Sequence, residues 1–259
     1  MQAPLHPESR LIRPFLEFFQ LTTGVAAHAF ARIGVLRFPA TQRVFHKQVL
    51  FTGIQALLPV TIAGLAVGIG LVSQMRSLLG SGVELNVKMM QVVVLREFAP
   101  LLTAFIVLGR SGSAMATEIA AMKVRGEIRS LYRLGIDPGD YLIVPRVVGC
   151  CIAVPALTLL FQLVATGVGP AFASLFVEMR LLPYYSALFQ QIALSDILIG
   201  LSKNVSFGLI IASVACSTGI HVPAQPAWIP QAAELSVLRS FILLLLADLL
   251  FASIYLIRS

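Results

Sequence analysis

The sequence predicts an all-α membrane protein with about five transmembrane helices, an N-terminal interfacial amphipathic helix and a short cytosolic helix between two of the spans. Three observations predict it. Hydrophobic residues make up 58% of the chain and charged residues 12%, where soluble domains carry about 25% charged residues. The mean hydropathy is +0.88. Several windows exceed the ~20 apolar residues that cross a bilayer. The length of 259 residues suits a compact bundle with no separate soluble domain. A net charge of +7 fits the positive-inside bias of membrane loops better than a nucleic-acid surface.

Residues 1–48 read as an interfacial segment and 49–259 as the transmembrane domain. Residues 1–47 hold six of the nineteen basic side chains, Arg10, Arg13, Arg32, Arg37, Arg43 and Lys47. Phe15, Phe18 and Phe19 fall at i, i+3, i+4 beside polar positions. That pattern fits a helix lying in the headgroup plane, or one packed on the bundle. Glu17, Gln20 and His28 interrupt the first apolar stretch, which is not a cleavable signal.

The first span is expected over about 49–73, with Gly64 and Gly68 in a GxxxG arrangement that admits a neighbouring backbone. The second runs over about 97–121. Gly109, Ser113, Thr117 and Ala121 recur every four residues, as do Gly112, Ala116 and Ala120. Its lower half therefore presents a broad face of small residues. Residues 122–140 are the most charged interior stretch. Ile128, Leu131, Tyr132 and Gly135 line one side of a two-turn helix, Gly135 is placed to end it, and Asp137-Pro138 prevents its continuation. Five basic residues between 123 and 146 place this loop in the cytoplasm. The third span is kinked by Pro155 and broken at Gly167–Pro170. The fourth covers about 192–219 and the fifth about 235–257, with Pro223, Pro226 and Pro230 excluding a regular helix between them. The N-terminus then lies inside and the C-terminus outside.

Charges within spans are costly, about 2.5–3.5 kcal/mol each at the bilayer centre, and are functional candidates for that reason. Arg96 and Glu97 open the second span on the outer side. Adjacent helical residues point ~100° apart, so the two need not pair, and they form either a polar rim that meets a headgroup or ordinary interfacial charge at a helix end. Arg110 and Glu118 lie deeper and read as structural links to neighbouring helices. Asp196, Lys203 and Asp248 read in the same way. Cys150, Cys151 and Cys216 read as small core residues, and no metal-ligand spacing occurs. Gly109-Arg110-Ser111-Gly112 matches the GxSG of an intramembrane serine protease. Its serine needs a facing histidine, and His6, His28, His46 and His221 are poorly placed to supply one. A proton-coupled secondary transporter using Asp196, Lys203 or Asp248 is a third possibility. The segment with Arg125, Glu127, Ile128, Arg129, Leu131, Tyr132, Arg133, Asp137 and Pro138 has the apolar face and firm stop of a docking element. With no Walker A loop in the chain, any ATP sits on another one.

The stretch from Arg96 to Arg146 resembles the signature region of the MlaE/YrbE-like permeases, the membrane subunits of MCE-associated lipid ABC transporters. The matching residues are Glu97 and Pro100, Gly109 to Ser113, Glu118 with Met122 to Val124, Gly135 to Pro138, and Pro145-Arg146. The resemblance implies a permease homodimer in the bacterial inner membrane, under a hexameric MCE-domain lipid-binding protein and above a cytosolic ATPase dimer. It implies no cofactor on this chain, a lipid pocket at Arg96 and Glu97, and ATPase coupling through the 125–136 helix. One stretch departs from the family. HVPAQPAWIPQAAELSVLRS stands where members carry a glycine-rich run before the last span.

Overall fold

Within a bilayer no water is available to backbone amides, so long apolar runs must close their hydrogen bonds internally as helices. The computed structural model describes residues 8–79, 83–175, 181–191 and 194–258, and they contain no strand. Five runs are long and apolar enough to cross a membrane: Thr41–Met75, Val87–Val124, Gly139–Ala173, Leu194–His221 and Trp228–Tyr255.

The chain begins with α1 (Glu8–Ala31). Span one joins α2 (Pro39–Gly53) to α3 (Leu57–Leu79) through a short 3-10 turn. Span two is a composite of α4 (Val83–Met90), a π-helical segment Gln91–Phe98, α5 (Ala99–Val107), a π-turn Leu108–Gly112 and α6 (Ser113–Val124). The short α7 (Glu127–Arg133) follows. Span three runs from a π-turn Gly139–Ile143 through α8 (Val144–Leu163) and a π-turn Val164–Val168 to α9 (Gly169–Ala173). Next come α10 (Leu181–Gln191), then α11 (Leu194–His221) as span four and α12 (Trp228–Arg258) as span five.

Helices α8 and α11 form the centre, with α2, α5, α6 and α12 packed around them. Val60, Val94, Val107, Met115, Phe161, Phe207 and Ile211 belong to one buried cluster. Lipid tails are as apolar as these side chains, so close van der Waals packing holds the helices together more than water exclusion does. That packing requires small residues. A Cβ on Gly169 would stand 2.7 Å from the Gly68 Cα. Gly68 itself is pressed against the Ala165 backbone. The GxxxG of the first span is thus a real backbone contact with span three. In span two the tight face is the row Gly112, Ala116 and Ala120, all buried, while Gly109 is exposed and Ser113, Thr117 and Ala121 are half-buried.

Four sequence expectations change. The first span begins at Thr41 rather than near 49, and the second at Val87 rather than near 97, so Arg96 and Glu97 lie inside it. Gly167–Pro170 does not break the third span. The π-turn Val164–Val168 and α9 continue it, because a π-turn absorbs the amide that proline lacks. Pro230 does not exclude helix either. It sits in the first turn of α12, where amides have no intrahelical acceptor. The second half of α1 packs against α11 and α8, with His28 bonded to Asp140 at 3.1 Å. The side chains of Phe15, Phe18 and Phe19 lie outside the described residues. Cys150 and Cys216 are buried and Cys151 is half-buried, all three as free thiols.

Candidate functional site

Proline at position 100 organises the site. It has no N–H, so a carbonyl one helical turn earlier loses its partner, and the helix widens into the π-segment Gln91–Phe98, where a second carbonyl is left open. Two side chains from other helices take the released carbonyls. Lys203 Nζ on α11 donates to Arg96 O at 2.9 Å, and Gln162 Nε2 on α8 donates to Leu95 O at 3.0 Å. The Lys203 side chain is 0% exposed. Its ammonium also donates to Glu97 Oε2 at 2.9 Å. It stands 2.7 Å from Asp248 Oδ1 on α12, near enough for ion pairing though out of hydrogen-bond alignment. Beside it, Arg96 Nη2 meets Asp196 Oδ2 at 3.0 Å, and Gln91 Nε2 donates to the same oxygen at 3.1 Å. The Arg96 guanidinium lies 4.9 Å from the centre of the Tyr255 ring.

The cluster therefore ties spans two, four and five together with two cations and three carboxylates. Glu97 is its open edge, 36% exposed, against 17% for Asp248 and 19% for Asp196. Arg96 and Glu97 do not pair with each other, in keeping with the ~100° between adjacent helical residues. The sequence named all five charges but not their convergence. Asp196 and Lys203 are seven residues apart and share a helical face, a usable signal. Gln91 and Tyr255 carried none.

Arg110 and Glu118 do link neighbouring helices. Arg110 Nη2 donates to Gln55 Oε1, and its guanidinium stands 5.8 Å from the Phe51 ring centre. Glu118 accepts from Arg146 Nη2 at 2.8 Å. At the same end of the bundle, Lys123 Nζ donates to Ile220 O at 2.6 Å and Val222 O at 2.7 Å, closing the end of α11.

Two glycines bound α7. Gly126 (φ 76°) and Gly135 (φ 72°) are left-handed, which costs other residues strain. Ile136 N bonds back to Leu131 O at 3.0 Å, a helix-ending loop that Gly135 makes possible. Glu127 sits in the first turn and Arg133 in the last, each favourable to the helix dipole. Arg125 Nε donates to Glu127 Oε1 at 2.5 Å. Ile128 packs on the core and Leu131 is half-buried. Tyr132 (64% exposed), Leu134 (74%) and Ile136 (40%) point away from the chain's own packing, flanked by exposed Arg129 and Arg133. Asp137 is exposed, accepting from Gly139 N at 2.9 Å, and Pro138 is buried. Leu134 and Ile136 were missing from the sequence reading, because they follow the last periodic position of the helix.

Among the described residues, which do not include His6, the protease arrangement does not form. Ser111 is buried and its Oγ has no partner. His46 and His221 bond carbonyls of their own helices, and His28 bonds Asp140.

The family model for Permease MlaE matches residues 45–254. The chain belongs to the MlaE permease family. A Rickettsia typhi protein named "Probable ABC transporter permease protein" is 31% identical, across 91% of this chain and 92% of its own. A Synechocystis protein of the same description is 33% identical across 59% and 58%. The Arabidopsis thaliana protein Trigalactosyldiacylglycerol 1, chloroplastic, is 30% identical across 62% of this chain and 46% of its own. This MlaE-family member is thus a multi-pass permease subunit of an ABC transporter, and such a subunit implies an ATPase partner.

Proposed function

We propose that this permease moves a phospholipid or related lipid between membranes, as a pair of identical subunits driven by a cytosolic ATPase dimer and joined to a hexameric MCE-domain lipid-binding protein. One observation carries the lipid reading: the Arabidopsis relative bears the name of a lipid, trigalactosyldiacylglycerol. The geometry supports it. Glu97 offers a half-open carboxylate at the edge of an apolar bundle, anchored by Lys203, where Arg96 and Glu97 can meet a headgroup. A second copy would cover α12, of whose apolar window 11% is buried, against 56% in span three. The exposed face of α7 would dock the ATPase, with Tyr132, Leu134 and Ile136 in its groove and Arg129 and Arg133 around them. Arg125, Glu127, Ile128, Leu131, Asp137 and Pro138 would hold that face in place. ATP would bind the partner and no cofactor this chain. The membrane would be the bacterial inner membrane, and the basic loops favour the N-terminus in the cytoplasm.

The test is purification from native membranes. An ATPase, an MCE-domain protein and a lipid identified by mass spectrometry should accompany the permease. Recovery of the ATPase with no lipid in any preparation would remove the lipid reading and leave the permease one intact.

A further inference from the structure

We propose that a cavity walled by α2, α6 and the start of α8 binds an anionic phosphate group between Arg146 and Lys47. The cavity holds about 430 Å³ and lies at the α7 end of the bundle, away from the Lys203 cluster. Three charged side chains line it, Lys47, Glu118 and Arg146, two cations against one carboxylate.

Arg146 is the reason to expect a ligand. Its side chain is 5% exposed, and its one polar partner is Glu118, on Nη2. Nε and Nη1 are buried and meet no acceptor. A guanidinium carries five N–H donors, so a single carboxylate leaves most of them unmet. Buried charged donors without acceptors are costly, and in a native protein they point to an oxygen not yet accounted for. The planar fork suits two oxygens of one phosphate. Glu118 is 54% exposed and has water as an alternative when an anion takes its place. Lys47 projects from the exposed side of α2, a flexible point charge that can close over the same anion.

The remaining wall is mostly apolar, with Phe51 and Met115 among it and the Tyr141 ring at one side. A phosphate joined to an apolar body fits such a wall better than a bare ion does. The shared chemistry is a phosphate oxyanion, carried either by a lipid headgroup or by free phosphate. The inference deepens the lipid reading by naming the headgroup chemistry, but its test reads binding alone. Its failure therefore leaves the co-purification test of the lipid reading untouched.

The experiment uses the permease purified with its ATPase. Binding of phosphatidylglycerol, of diacylglycerol with the same acyl chains and of inorganic phosphate is measured by native mass spectrometry and thermal shift. Phosphatidylglycerol should bind, and Lys47→Gln and Arg146→Gln should each weaken it about tenfold, the scale of one charged hydrogen bond. Diacylglycerol binding should not change in either variant. No competition from millimolar phosphate assigns the site to a headgroup. Competition that is lost in the same variants assigns it to the free anion. Should Arg146→Gln fail to assemble, Lys47→Gln decides, because its side chain is exposed and unpacked. Phosphatidylglycerol bound as in the wild type by every variant that assembles overturns the site.

Discussion

A lysine with no exposed surface persists among apolar helices by placing its donors on fixed acceptors, and Lys203 places them on Arg96 O and Glu97 Oε2 with Asp248 alongside. Removing one partner of a buried ion pair costs about 3–5 kcal/mol, because the other charge stays behind. Lys203→Met should therefore lower the melting temperature of the purified complex and the yield of assembled permease. A variant that melts with the wild type would show that the cluster is not held by the lysine. Glu97→Gln is the contrasting case. Gln keeps an oxygen for Lys203 and removes the open edge's charge, so assembly should persist while lipid transfer per assembled complex falls. Glu97→Lys sets two ammonium groups side by side and should impair transfer more. Wild-type transfer by both would leave Glu97 as interfacial charge with no part in lipid handling. The sequence made Glu97 and Pro100 visible because charge and proline are rare in spans. It could not show that a proline's orphaned carbonyl is met by a lysine 107 residues later, since that pairing depends on how the helices lie side by side.

At the scale of the element, α7 owes its shape to two left-handed glycines, and its proposed docking role rests on what it leaves uncovered. The 122–140 stretch announced a short helix with a firm stop, and both are present. Its outward face was harder to read. Leu131 shares a side with Ile128, which packs on the core, so Leu131 is half-buried and gives less surface to a partner than its spacing implied. The chain turns at Gly135, and Leu134 and Ile136 on either side of it are exposed, as Tyr132 is. Leu134→Asp should abolish ATPase co-purification while the permease still folds, because a carboxylate would be buried in the groove without a partner. Leu131→Asp should reduce both folding and co-purification. ATPase recovery unchanged in Leu134→Asp would mean that the segment is a solvated turn. Gly126→Ala tests the local strain separately: φ of 76° disfavours a Cβ by about 1 kcal/mol, so a modest drop in melting temperature is expected.

For the whole molecule, the proposed orientation, with the N-terminus in the cytoplasm, rests on five spans and the clustering of basic residues. In a background lacking Cys150, Cys151 and Cys216, a cysteine at position 137 should label from the cytoplasm and one at position 84 from outside. Outside labelling at 137 would remove the docking role of α7 as well as the topology. Span number was legible because hydropathy reports it directly. Span ends were less so, since α2 carries polar side chains into the first span and the π-turn near Gly167 keeps the third span continuous where glycine and proline suggested an end. One contact bears on movement. At Gly68 and Gly169 the main chains of α3 and α9 meet with no side chains between them. Such a junction has no rotamers to rearrange and no slack to take up. Spans one and three thus form a stiff strut, able to tilt only as one piece. Whatever opens and shuts during a transport cycle must hinge elsewhere, at contacts made through side chains, such as the stacked rings of Phe105 and Phe241 between spans two and five.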